Sequence, residues 1–82
     1  MQTMKISFKD NYEKTTNWAM VISDQHSIMY YGNLVEWINW LENEWKCKVE
    51  MGKFGDDKCI AALIFEDDNY LLAVLKYGPP AL

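Results

Sequence analysis

Arginine is absent from this chain of 82 residues, so all eight of its basic side chains are lysines. Twelve acidic side chains outnumber them and give a formal net charge of −4 at pH 7. Proteins that bind nucleic acid contact its phosphates chiefly through lysine and arginine. The charge balance therefore predicts no direct contact with nucleic acid. It favours a protein partner with a basic surface, such as the nucleic-acid-binding surface of a larger protein.

Other scarcities exclude further classes of protein. The chain has one histidine, two cysteines and four isolated glycines. These are too few for a histidine-rich metal site, a disulfide-stabilised miniprotein or a glycine-rich phosphate loop. No uninterrupted apolar run approaches the roughly 18–20 residues that span a bilayer, so we predict no membrane association. The predicted strands hold Cys47 and Cys59 about 20 Å apart, and two reduced thiols are typical of a cytoplasmic protein.

The side chains that could catalyse a reaction do not form a recognisable pattern. His26 is predicted to lie in a turn near Ser23, Asp24 and Ser27, but neighbours in a turn are seldom held as nucleophile, base and orienting group. The oxygen-rich segment 66–69 lacks the ligand spacing of a calcium-binding loop. We therefore predict that the protein is not an enzyme and has no catalytic residue, no metal ligand and no cofactor.

The hydrophobic pattern predicts strands, one helix, and strands again. Apolar residues mark strands over the segments 4–9, 17–23, 27–31, 47–54, 58–66 and 69–77. The segment 58–66 is apolar on both faces and is predicted to lie centrally. The segment 69–77 also fits a buried helix capped by Asp68 or Asn69, but its closeness to the preceding strand favours a hairpin. The predicted fold is one α+β domain over residues 1–82, with one α-helix on a mostly antiparallel sheet of five or six strands in the order β-β-β-α-β-β-β.

The helix is the clearest predicted element. Asn33 is a favourable N-cap, and Glu36 stands three residues later, as in a capping box. On a helical wheel, one apolar stripe faces the sheet and contains Leu34, Ile38, Leu41 and Trp45. We predict that the helix ends near Lys46, whose positive charge suits a helix C-terminus.

The faces of the helix and strands together predict a hydrophobic core. Its predicted members are Ile6, Phe8, Trp18, Met20, Ile22, Leu34, Ile38, Leu41, Trp45, Val49, Met51, Ile60, Leu63, Ile64, Phe65, Leu72 and Val74. The last two predicted strands are apolar on both faces, whereas one helix covers only one face. Either the sheet curls on itself, or a partner or a second copy covers the other face, and the second possibility favours an interaction protein.

A tryptophan in the predicted helix is the strongest local anomaly. On the wheel, Trp40 lies well off the apolar stripe, next to Trp37 at the edge of the stripe and to Glu44, with Glu36 beyond. Tryptophan is common at binding hot spots, so we interpret these four residues as part of a partner-binding surface. The alternative is that Trp40 packs beneath the loop at 10–16 or beneath the C-terminal tail.

Acidic turns complete the predicted partner-binding set. They contribute Asp56, Asp57, Glu66, Asp67 and Asp68. These carboxylates are complementary to a basic target surface. Ordinary solubilising charge is the alternative, because the two acidic groups lie at opposite ends of one predicted strand.

The leading functional interpretation is a small acidic protein-binding domain that inhibits a larger protein by steric or charge-complementary occlusion. Its size and charge are comparable with those of immunity proteins and of phage-encoded antagonists of host defence such as anti-CRISPR proteins, although no motif carries the comparison. One alternative is a homo-oligomeric structural or accessory protein, for example a homodimer. Another is a small-molecule-binding domain with its site between helix and sheet.

Overall fold

The structure is a computed structural model, and it describes residues 2–29, 33–66 and 68–82. Three strands form one antiparallel sheet in the order β1-β3-β2, and they are β1 (Thr3–Ser7), β2 (Cys47–Phe54) and β3 (Asp57–Glu66). The described helices are α1 (Thr16–Met29), α2 (Leu34–Trp45) and α3 (Asn69–Tyr77), with a short 3₁₀ turn at Tyr12–Lys14. The fold is mixed α+β. The predicted arrangement is nevertheless wrong, because the described residues form three helices and three strands instead of one helix and five or six strands.

Helix α1 occupies the segment that was expected to form the first hairpin. The predicted strands at 17–23 and 27–31 are therefore wrong as far as the described residues extend. Tyr30 and Tyr31, at the end of the second predicted strand, lie outside the described residues. Trp18, Met20 and Ile22 alternate along the sequence as strand residues do. This alternation is misleading, because the helical spacing of Trp18 and Ile22 determines which side chains are buried.

Burial shows which spacing governs α1. Trp18 and Ile22, four positions apart, are 0% and 7% exposed, whereas Met20 between them is 60% exposed. Residues four apart share a helix face, but residues two apart do not. The Thr15 carbonyl accepts the first helical hydrogen bond, from the Ala19 N–H at 2.9 Å. The apolar stripe of α1 is therefore helical from its first turn.

The C-terminal tail is held against the start of α1. The Trp18 indole Nε1–H donates to the Gly78 carbonyl at 2.8 Å, and the Trp18 backbone N–H donates to the Pro80 carbonyl at 3.1 Å. The Asn17 side-chain amide donates to the Pro79 carbonyl at 2.7 Å. The first N–H groups of a helix have no acceptor within the helix, and the tail supplies one. We call these five residues the tail clasp.

The strand predicted over 69–77 is wrong, because helix α3 covers this segment. The alternative of a helix is confirmed, but this helix is buried on one side only. Tyr70, Ala73, Val74 and Tyr77 pack on the core at the spacing of one helix face. Asp68 precedes the first turn, although its side chain makes no capping hydrogen bond.

Helix α2 confirms the predicted helix at both ends. The Asn33 side chain accepts a hydrogen bond from the Glu36 N–H at 3.1 Å. Lys46 follows the last turn in the left-handed conformation, with φ +55°, and ends the helix. In the last turn but one, the Glu42 carboxylate accepts a hydrogen bond from the Val49 N–H at 2.9 Å. Helix α2 therefore covers part of the open edge of β2.

Asn33→Ala is expected to lower the free energy of unfolding by about 1 kcal/mol, because the first turn of α2 loses its side-chain acceptor. Urea denaturation followed by circular dichroism measures the change. Asn39→Ala is the matched control, since Asn39 is exposed in the middle of the same helix, and we expect it to be neutral or slightly stabilising. Equal losses for the two variants would contradict the capping role of Asn33.

The hairpin of β2 and β3 and the central position of β3 are confirmed. The connecting turn has two residues, Gly55 and Asp56, where the sequence predicts three. Gly55 has φ +65°, which glycine adopts without strain. The shorter turn shifts the register by one position, so Lys58 faces Lys53 instead of Phe54. Both cysteines are free thiols.

The core lies between the helices and one face of the sheet. Its largest fully buried side chains are Trp18, Leu41, Trp45, Leu63 and Phe65, all of them predicted core residues. Other predicted core residues pack against this cluster while partly buried, namely Ile6, Phe8, Leu34, Ile38, Val49, Ile60 and Val74. Met20 and Leu72 are wrong, because they are 60% and 55% exposed.

The outer face of the sheet shows what covers the second apolar face predicted from the sequence. Successive strand residues alternate between faces, so Ala62 and Ile64 point away from the side that carries Leu63. Lys5 on β1 faces Ile64, and Glu50 on β2 faces Ala62. The Lys5 Nζ and Glu50 Oε2 atoms are 3.2 Å apart. Because α3 is not a strand, β3 is the one described strand that is apolar on both faces, and an ion pair crosses its outer face.

Candidate functional site

The tryptophan pair of the predicted binding surface is packed into the molecule. Trp37 is 2% exposed. Its ring meets the His26 ring edge to face, with ring centroids 5.2 Å apart, and it stacks on Trp40 at 5.4 Å. Trp40 is half-buried and packs against the core. Of the two rings, Trp40 is therefore the more exposed.

The two predicted glutamates of α2 have different environments. Glu36 is exposed in the first turn. Glu44 forms an ion pair with Lys76 of α3 and accepts a hydrogen bond from the Tyr77 hydroxyl at 3.4 Å. The hydrogen bond from Lys76 lowers the pKa of Glu44 below its usual value and outweighs the opposing effect of desolvation. Glu44 thus joins α2 to α3.

The acidic turns form two separate groups. Asp56 and Asp57 are exposed where the hairpin turns, and Glu66 and Asp68 are exposed at the other end of β3. Ten residues of strand separate the groups by about 30 Å at 3.3 Å per residue. Asp67 lies outside the described residues. The structure therefore does not gather the predicted acidic residues into one surface.

An exposed apolar surface lies on α3, where sequence analysis predicts a strand. Leu71, Leu72 and Leu75 are 56%, 55% and 83% exposed, although the opposite side of the same helix packs on the core. They occupy one side of the helix, since residues three and four apart are neighbours on a helix surface. We call these three residues the leucine face. Because the segment 69–77 is apolar on both sides, the sequence pattern does not separate the leucine face from the core-facing stripe.

Acidic residues flank the beginning of the leucine face. Glu66 and Asp68 precede the first turn of α3, and both are exposed. Neither forms an ion pair with another described residue. Lys76, the basic residue of the last turn, is occupied by Glu44. The uncompensated charge beside the leucine face is therefore negative.

A cleft of about 410 Å³ opens between α1, the start of α2 and the hairpin. We call it the helix–hairpin cleft. Its apolar lining comprises Phe8, Ala19, Ile22, Leu34, Trp37, Met51 and Ile60. These side chains come from four elements and from the residue after β1, so no single sequence segment indicates the cleft.

Among the residues that the structure describes, no carboxylate lines the helix–hairpin cleft. Its polar lining consists of Ser23, His26, Lys58 and Cys59. Lys58 is exposed, and it makes no ion pair with any described residue. Lys53 faces it directly across the hairpin. The described lining of this cleft therefore carries the positive charge of Lys58, and the Asp56 and Asp57 carboxylates lie in the adjoining turn.

Comparison with known families, with characterised proteins and with solved structures finds no significant match. Over residues 2–29, 33–66 and 68–82, no three His, Cys, Asp or Glu side chains are grouped to hold a metal ion. None of the described helices has the length and apolar character needed to cross a membrane. The functional argument therefore starts from the chemistry of the leucine face and of the helix–hairpin cleft.

Proposed function

We propose that this chain is a small acidic module that binds a larger protein and acts by occupying its binding groove. Its leucine face docks into an apolar groove with a basic rim on a larger protein. The carrying observation is that Leu71, Leu72 and Leu75 are all more than half exposed on one helix. Single exposed apolar residues are ordinary, but a contiguous apolar patch marks an interaction surface.

The geometry of α3 supports recognition of the helix-in-groove kind. In that mode, apolar side chains about one turn apart, such as Leu71 and Leu75, enter successive pockets of the partner. The helix is already fixed, because Tyr77 stacks on Trp45 with ring centroids 4.0 Å apart and Lys76 pairs with Glu44. A helix that is ordered before binding loses little conformational entropy on docking.

Charge supports the choice of partner. The chain carries a net charge of −4, and Glu66 and Asp68 flank the leucine face without ion-pair partners among the described residues. A partner whose groove is rimmed by lysine or arginine would be steered to this face and bound more rapidly. Occupying such a groove would exclude the segment that normally binds there, which is how a small module acts as an inhibitor.

Leu75→Glu tests the proposal. An interface hot spot contributes about 2 kcal/mol or more, so the variant is expected to bind its partner about 30-fold more weakly. Tagged wild-type protein first captures the partner from a lysate of the cells in which it acts. Calorimetry with the purified partner then gives the affinity of each variant. Val35→Glu is the matched control, since Val35 is 70% exposed on α2.

The variants distinguish the leucine face, the surface around Trp40 and a second copy of the chain as the site of binding. Loss of binding with Leu75→Glu and retention with Val35→Glu supports docking through the leucine face. Loss with Trp40→Ala alone would overturn it in favour of the surface around Trp40. If light scattering shows a dimer that Leu75→Glu dissociates, the occupant is a second copy, and the proposal of a larger partner fails.

A further inference from the structure

We propose that the helix–hairpin cleft binds a small amphipathic carboxylate. The apolar body of the ligand would lie against Ile22, Leu34 and Trp37, and its carboxylate would meet Lys58. This inference does not depend on the leucine face, which lies on another helix.

The dimensions and walls of the cleft suit a compact apolar body. Its volume of about 410 Å³ falls within the range of roughly 300–1,000 Å³ found for small-molecule sites. Two of its walls are rigid core residues, because Ile22 and Trp37 are 7% and 2% exposed. Trp37 is further held between the rings of His26 and Trp40. The apolar surface is therefore formed before any ligand enters.

One side of α1 supplies both apolar and hydrogen-bonding groups to the cleft. Ala19, Ile22, Ser23 and His26 all line it, at the spacing of a single helix face. This side of α1 meets the face that carries Trp18 into the core at Ile22, which belongs to both. The Ser23 hydroxyl and the His26 ring are the polar groups that can hydrogen-bond a ligand from this wall.

Two lysines of the hairpin favour a ligand with a negative charge. Lys53 and Lys58 face each other across β2 and β3, and like charges directly opposite in a sheet are destabilising. Neither makes an ion pair with a described residue, and no carboxylate among the described residues lines the cleft, although Asp56 and Asp57 form the adjoining turn. A bound carboxylate would relieve the repulsion, whereas a cationic ligand would increase it.

A thiol on the strand that borders the cleft provides a readout. Cys59 lies between Lys58 and Ile60 on β3 and is exposed. Burial raises the pKa of the other thiol, Cys47, to about 12, and a thiol reacts through its thiolate. Iodoacetamide should therefore alkylate Cys59 selectively, and a ligand seated in the cleft should slow that reaction.

The probes are naphthoate and octanoate, with naphthamide and octanamide as uncharged counterparts. Mass spectrometry follows alkylation of Cys59 as each probe is titrated against the full chain. We expect saturable protection by at least one carboxylate and at least tenfold weaker protection by its amide. Lys58→Gln should weaken carboxylate binding about tenfold, as expected for loss of a charged hydrogen-bond donor. Lys14→Gln, a change at an exposed lysine outside the cleft, should leave it unchanged.

Several results would overturn the proposal. They are equal protection by acid and amide, unchanged binding in Lys58→Gln, and no saturable protection up to millimolar probe. Circular dichroism of each variant checks that its fold is retained. In the Leu75→Glu variant, the carboxylate probe should protect Cys59 from alkylation as well as it does in the wild type. Failure of the leucine-face proposal and failure of this one are therefore distinguishable.

Discussion

Trp18→Ala is expected to lower the free energy of unfolding by about 3–5 kcal/mol, as for other fully buried tryptophans. Trp18 is 0% exposed. Its ring lies 5.2 Å from Trp45, 5.6 Å from Phe65 and 5.8 Å from Tyr70, measured between ring centroids. The substitution removes contacts to α2, β3 and α3 together, so it opens a cavity where these elements meet.

A loss of that size approaches the stability expected of a domain little larger than the roughly 70–80 residues below which a single core rarely supplies more than about 3–5 kcal/mol. We therefore expect the Trp18→Ala protein to be largely unfolded at 37 °C. Near-ultraviolet circular dichroism and urea denaturation measure the loss. Trp40→Ala removes the same side chain from a half-buried position and should cost clearly less. Similar losses for the two variants would contradict the central position of Trp18.

Deletion of residues 78–82 is expected to lower the free energy of unfolding by about 2–4 kcal/mol, because it leaves donors of the tail clasp without acceptors. The buried indole N–H of Trp18 loses the Gly78 carbonyl, and its backbone N–H loses the Pro80 carbonyl. Urea denaturation again gives the change. Deletion of residues 81–82 keeps every clasp carbonyl and is the matched control. If both deletions cost the same, the clasp hydrogen bonds are not the cause.

The elements that sequence predicts correctly carry local signals. Asn33 and Glu36 identify the start of α2, and the four-residue apolar spacing from Leu34 identifies its inner face. Alternation and Gly55 identify the β2–β3 hairpin. In each case the interactions that decide the structure lie within a few residues of one another, so the sequence pattern is sufficient.

The two missed helices lack such signals. In α1, the apolar residues Trp18, Met20 and Ile22 fit a strand as well as a helix, and the choice depends on contacts with distant elements. Helix α3 is apolar on both sides, so periodicity does not separate the core-facing Tyr70 and Ala73 from the exposed leucines. Tertiary packing overrides local preference in both segments.

The errors in secondary structure also cause errors in the predicted surfaces. Trp37 is buried because α1, predicted as strands, places His26 against it. The leucine face is absent from a strand interpretation, which assigns Leu72 to the core. The opposed lysines Lys53 and Lys58 follow from a two-residue turn, whereas a three-residue turn separates them. Sequence therefore identifies the acidic and aromatic residues but not which of them share a surface.

The tail clasp also has a consequence for the order in which the chain folds. It joins residues 60 and 62 positions apart, whereas the β2–β3 hairpin closes through a two-residue turn. Closing a long loop costs more entropy than closing a short one and slows the step. We infer that the hairpin and α2 form before the tail clasp closes. Until it closes, the indole N–H of Trp18 lacks its Gly78 acceptor.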